Sequence, residues 1–64
     1  STTAESALAA ALQQTHNIGQ IETTLRNQYL IRKARADRGQ QAPEWVETII
    51  SILEQEYERL ELQK

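Results

Sequence analysis

The sequence predicts an all-α protein, an antiparallel helical hairpin preceded by a short N-terminal helix. Apolar residues near the C-terminus recur at steps of four and three, which places them on one side of an α-helix. Gly39 and Pro43 lie between two long helical segments, where they are suited to end one helix and begin the next. We therefore predict one domain over residues 1–64. Its helices are expected at about 3–16, 20–38 and 43–62, with a turn at about 39–42.

The first segment is predicted to form the least firmly held helix. It is rich in Ala, and Leu8 and Leu12 are its only large apolar residues. Small side chains bury little apolar area when they pack. Asn17 and Gly19 then favour a break or kink, because both residue types tolerate the left-handed conformation that ends helices. The alternative is one continuous helix that is weakened at Gly19.

The second segment is predicted to be apolar on two sides. One side carries Ile18, Ile21, Leu25 and Tyr29, and the other carries Leu30, Ile31 and Ala34. A helix of this kind usually packs between two neighbours. A turn centred near Gln40 places Ala34 beside Val46 and Leu30 beside Ile50. We therefore expect the second set to contact the C-terminal helix. The first set must contact either the first helix or another chain, and we favour a second copy.

The C-terminal segment is predicted to be one amphipathic helix. Its apolar stripe is Val46, Ile50, Leu53, Tyr57 and Leu60, widened by Trp45 and Ile49. Pro43 suits the first helical position. Glutamates are expected on the exposed side, with no acidic residue in the stripe.

Trp45 has two interpretations. The one that we favour has the indole close the end of the hairpin core by packing on Ala34 or Ala36. In the other it is an anchor for a partner protein, since Trp is enriched among the residues that dominate binding energy.

Length and composition indicate that the chain needs a partner. A 64-residue monomer buries only about 60% of its unfolded surface. There is no Cys for a disulfide, and the lone His16 does not make a zinc site by itself. We predict no metal, no cofactor and no membrane partner. There is no apolar run of membrane-spanning length and no secretory signal, so a cytoplasmic protein is expected.

The charge distribution offers a second interpretation. The formal net charge is −2, but the segment 26–38 is basic and the chain from Glu44 onward is acidic. The basic residues are Arg26, Arg32, Lys33, Arg35 and Arg38. They are candidates for contacting nucleic acid phosphates. We favour the simpler interpretation, in which a solvated basic turn complements Glu44 and Glu47.

These observations predict a non-enzymatic interaction or adaptor module that acts by helix–helix association, most simply as a homo-oligomer. The candidate interface residues are Leu8, Leu12, Ile18, Ile21, Leu25, Tyr29, Trp45, Ile49, Leu53, Tyr57 and Leu60. The alternatives are a small regulator that binds nucleic acid through the basic segment and a small co-chaperone that holds a helix of another protein.

Overall fold

A computed structural model describes residues 3–15 and 17–63, and this part of the chain contains three helices. They are α1 (Thr3–Gln13), α2 (Ile18–Ala36) and α3 (Glu44–Glu61). Helices α2 and α3 pack together, and α1 packs on α3. The predicted all-α class, with a short N-terminal helix before a packed pair, is therefore confirmed.

The helical structure is interrupted between α1 and α2. The predicted end of the first helix fell at His16, which lies outside the described residues, and α1 ends earlier, at Gln13. Asn17 caps α2, because its Oδ1 accepts a hydrogen bond of 3.1 Å from the Gln20 N–H. Gly19 lies inside α2 and does not terminate α1. An interruption between the two helices was expected. Asn17 and Gly19 were expected to end the first helix, but they belong to the start of the second.

The turn between α2 and α3 is fixed by Gly39, which has a φ of 72°. Its N–H donates to the Ala36 carbonyl, and the Gln40 N–H donates to the Arg35 carbonyl, each at 2.9 Å. This is the Schellman arrangement that ends helices at a left-handed glycine. Pro43 caps α3 from outside the helix and is not its first residue.

The core lies between α2 and α3. It consists of Ile21, Leu25, Val46, Ile50, Leu53 and Leu60, all at most 8% exposed. The two helices are antiparallel, because Arg32 contacts Glu47 while Tyr29, earlier in α2, contacts Glu54, later in α3. Arg32 opposite Glu47 agrees to within one residue with a turn centred on Gln40.

The orientation of α2 about its own axis differs from the expectation. Ile21 and Leu25 face α3, whereas Leu30 is 57% exposed and Ala34 is exposed. The expected packing of Ala34 on Val46 and Leu30 on Ile50 is therefore wrong, whereas Ile31 of the same set packs against the core as expected. The side that was assigned to a second copy is covered within the chain.

Polar residues on the side of α2 that faces α3 explain why the predicted orientation of this helix was wrong. Continued at steps of three and four, the stripe that contains Ile21 and Leu25 passes through Gln28, Arg32 and Arg35. Gln28 and Arg35 are half-buried, and Gln28 Oε1 is buried without a hydrogen-bond partner. The aliphatic part of a long polar side chain can pack on a core while its polar end stays in water. Polar residues can therefore occupy positions of α2 that face α3.

Helix α1 runs in the same direction as α3, and near its end Ala11 and Leu12 also share a shallow pocket with Gln20, Ile21 and Thr24 of α2. Ala4 and Leu8 lie beside Trp45 and Ile49 near the start of α3, and Arg59 reaches the Leu12 carbonyl near its end. No residue of α1 is buried. The Cα atoms extend over 38 × 26 × 14 Å, so the three helices form a thin layer with α3 between the other two.

Burial predicts opposite outcomes for the same substitution at two leucines. Leu53 is 1% exposed, so Leu53→Ala is expected to lower the free energy of unfolding by roughly 2–5 kcal/mol. Leu30→Ala, at an exposed site, should change it by less than about 0.5 kcal/mol. Urea unfolding followed by circular dichroism measures both, and similar losses for the two variants would contradict the assigned face of α2.

The two glycines form a second matched pair. Gly39→Ala should destabilise the fold by about 1–2 kcal/mol, because an L-residue is strained at this positive φ. A Cβ at Gly39 meets no atom within 4 Å, so a steric clash does not contribute. Gly19→Ala should be neutral or stabilising, since Gly19 is helical and its Cβ would make only an ordinary contact with Asn17. The midpoints of thermal unfolding measure both effects. A similar decrease of the midpoint in the two variants would contradict this prediction.

Candidate interaction surface

Helix α3 carries two stripes of side chains that are offset by one residue. The first stripe, Val46, Ile50, Leu53, Tyr57 and Leu60, belongs to or packs against the core shared with α2. The second stripe is Trp45, Ile49, Ile52, Glu56 and Arg59, and it repeats at the same steps of four and three. Neighbouring residues project about 100° apart on a helix, so the two stripes face different partners. The second stripe faces α1.

Trp45 lies at the open end of the second stripe. It is 51% exposed, and it shares a shallow pocket with Ala4, Glu5, Leu8 and Ile49. The expected packing of Trp45 on Ala34 or Ala36 is wrong, because both alanines are exposed and the indole lies on the α1 side of α3. We call Ala4, Leu8, Trp45 and Ile49 the Trp45 surface.

A charged pair closes the other end of the second stripe. Glu56 is 8% exposed, and its Oε1 accepts a hydrogen bond of 2.8 Å from Arg59 Nε. Arg59 Nη2 lies 3.4 Å from the carbonyl oxygens of Leu12 and Thr15. Helix α1 has no basic residue in its last turn, so Arg59 supplies the cation that the negative end of its dipole favours. The expectation that the glutamates of the last helix lie on its exposed side is wrong at Glu56.

Polar contacts also join α2 and α3 along the edge of their core. The Tyr29 hydroxyl donates to Glu54 Oε2 at 2.5 Å, and Arg32 pairs with Glu47 at 3.2 Å. The Arg32 guanidinium carbon lies 5.2 Å from the centre of the Tyr29 ring, a cation–π distance. The hydrogen bond to Glu54 is the main reason that the pKa of Tyr29 is raised above its usual 10.0. Desolvation and the charge of Glu54 add to this shift, and Arg32 opposes it.

The basic segment is largely paired with carboxylates. Arg26 pairs with Glu22 at 3.1 Å, Lys33 with Asp37 at 2.9 Å, and Arg32 with Glu47 as described above. Arg35 is half-buried, and Arg38 is exposed beside the turn. The five basic side chains therefore do not form one unpaired surface that could follow a phosphate backbone.

The predicted interface residues divide into three groups. Ile21, Leu25, Leu53 and Leu60 are buried within one chain. Leu12, Ile18, Tyr29, Ile49 and Tyr57 are partly buried against that core. Leu8 is half-buried, and Trp45 is half exposed. Of these predicted residues, Trp45 is the most exposed, and it forms a partly exposed apolar surface with its neighbours.

Ile52 and Glu56 face α1 but are not among the interface residues predicted from the sequence. Ile52 lies with Glu5, Ser6, Ala9 and Thr48 in a second shallow pocket between α1 and α3. A signal for both residues was present. They continue the spacing that Trp45 and Ile49 begin, and a second stripe offset by one residue indicates a helix that contacts two neighbours.

The described residues offer little for other kinds of chemistry. Among residues 3–15 and 17–63 there is no group of three or more His, Cys, Asp or Glu side chains arranged to hold a metal ion. None of the helices in these ranges has the length and apolarity that crossing a bilayer requires.

Comparison with known proteins provides no relative from which a function could be transferred. No protein family model, no curated protein sequence and no solved structure matches this chain.

The Tyr29–Glu54 hydrogen bond predicts a pH dependence of stability. Because folding raises the pKa of Tyr29, the contribution of this bond is complete below about pH 10 and is lost as the pH rises through the folded-state value. Tyr29→Phe should therefore lower the free energy of unfolding by about 0.5–1 kcal/mol at neutral pH. The difference from the wild type should vanish at higher pH. Urea unfolding of both proteins at neutral and alkaline pH measures this, and a difference that is independent of pH would contradict it.

Proposed function

We propose that this chain is a non-enzymatic helical interaction module that associates by helix packing, with a second copy of itself as its partner. The observation that carries the proposal is the Trp45 surface. A half-exposed Trp beside Leu8 and Ile49 resembles the aromatic anchors that dominate protein interfaces. Its neighbour Ala4 is small, which would let another helix approach closely.

The way in which α3 is covered supports the same proposal. Its first stripe is covered by α2, which contributes Ile21 and Leu25 to the core. Its second stripe is covered by α1, which contributes no buried residue. The contact between α1 and α3 therefore leaves part of the second stripe open, at Trp45. Burial of such a surface would supply affinity.

The charges favour a protein partner over nucleic acid. Arg26, Arg32 and Lys33 each have a carboxylate within 3.2 Å, so binding a phosphate would have to displace an existing ion pair. A formal net charge of −2 adds no general attraction to a polyanion.

Sedimentation velocity over micromolar to millimolar concentrations tests the proposal. The wild type should self-associate, and this association should change little with salt because it depends on apolar contact. Trp45→Ala should weaken it by about 30-fold or more, the loss expected for an interface anchor. The fluorescence of Trp45, the only Trp in the chain, should shift to shorter wavelength as the dimer forms.

Leu30→Ala is the matched control, because Leu30 is exposed to a similar degree but lies on α2 and does not line the pocket of Trp45. It should leave the association unchanged. A wild type that remains monomeric at millimolar concentration would contradict the proposal, as would a dimer that Trp45→Ala does not weaken.

A further inference from the structure

Helix α1 is the least firmly held element of the fold. None of its residues is buried, whereas the six buried apolar residues all lie in α2 and α3. Its backbone packs on α3, and its Leu12 also contacts the core that α2 and α3 share. Elements with few buried apolar contacts open locally, at a lower free energy than the rest of the protein. Separation of α1 would remove Leu12 from the edge of the core, but all six buried apolar residues belong to α2 and α3.

Arg59 makes polar contacts with the end of α1 and with the connection that follows it. Its two contacts with the carbonyls of Leu12 and Thr15 are long, at 3.4 Å each, while its bond to Glu56 is short, at 2.8 Å. Arg59 can therefore release α1 and keep Glu56 as its partner. The charged pair stabilises the docked position of α1 without making it permanent.

The second stripe of α3 already fits one helix, and that helix is α1. A second copy carries an identical α1. That helix would therefore fit the second stripe once the chain's own α1 has separated from it. The connection between α1 and α2 contains no Pro. The non-helical residues described in it, Gln14, Thr15 and Asn17, have negative φ angles. A change of conformation in this connection would let α1 reach a neighbouring molecule.

We infer that α1 is an exchangeable cover, which leaves the second stripe of its own α3 and docks on the α3 of a second copy. The inference rests on the proposed self-association and gives it a specific geometry. Exchange of an identical element is a favourable route to a dimer, because each new contact is one that the single chain already makes.

Hydrogen exchange on the full chain tests whether α1 opens separately. Amides of α1 are expected to exchange at least about tenfold faster than those of Ile50 and Leu53. The double variant Glu56→Gln with Arg59→Gln removes both charges, so that no buried carboxylate is left unpaired. It should speed exchange in α1 by a further factor of about 5 and leave the core amides unchanged. Arg32→Gln, which breaks an ion pair between α2 and α3, is the control and should not affect α1. Exchange of α1 at the rate of the core amides would overturn the inference.

Disulfide trapping tests the exchange itself. Ala9 and Thr48 line the same pocket between α1 and α3, and the chain has no native Cys. The double variant Ala9→Cys with Thr48→Cys should form an internal disulfide at low concentration. When chains that carry Ala9→Cys alone are mixed with chains that carry Thr48→Cys alone, a mixed disulfide dimer should form under mild oxidation. It should exceed the dimers that either variant forms by itself.

The outcomes separate this inference from the proposed function. If the wild type dimerises but the mixture of Ala9→Cys and Thr48→Cys chains forms no mixed disulfide, exchange would be overturned and the Trp45 surface would remain as the interface. A wild type that never dimerises would contradict the proposed function and exchange together, even if hydrogen exchange finds that α1 opens separately. Fast exchange in α1 together with the mixed disulfide supports the inference.

Discussion

The packing of α3 against two neighbours is the constraint on which the rest of the structure depends. One helix of 18 residues presents two stripes offset by a single residue, and each needs a cover. Helix α2 covers the first stripe with Ile21 and Leu25, and six large side chains are thereby removed from water. Helix α1 covers the second stripe with mostly small side chains. Because α2 presents larger side chains to α3 than α1 does, the α2–α3 interface forms the core and the α1–α3 interface is more loosely packed.

Polar groups around these interfaces fix position more than they add stability. Tyr29 with Glu54 and Arg32 with Glu47 join α2 to α3 at exposed sites, where such contacts contribute little energy. They hold the antiparallel register that the short turn at Gly39 imposes. Arg59 has the equivalent role for α1, because it places a positive charge at a helix end that has no cation of its own.

Much of this architecture was predictable from local patterns in the sequence. Gly39 identified the end of α2 because the left-handed conformation is specific to few residue types, and the steps of four and three identified α3. The orientation of α2 was not predictable from its apolar residues, since Gln28 and Arg35 occupy inner positions while Leu30 faces water. The burial of Glu56 was likewise not predictable from the pattern of its own helix. Its burial depends on Arg59, which reaches across to α1, and a single helix pattern does not contain that contact.

The absence of buried residues in α1 has a consequence for how its sequence can change over time. Folding places almost no demand on the identity of Ala4, Leu8 or Ala9, since none of them fills the interior. Drift at these positions would be nearly neutral if the hairpin alone sufficed for the biological role. Purifying selection on α1 among descendants of a common ancestor would therefore reflect what the helix touches outside its own molecule.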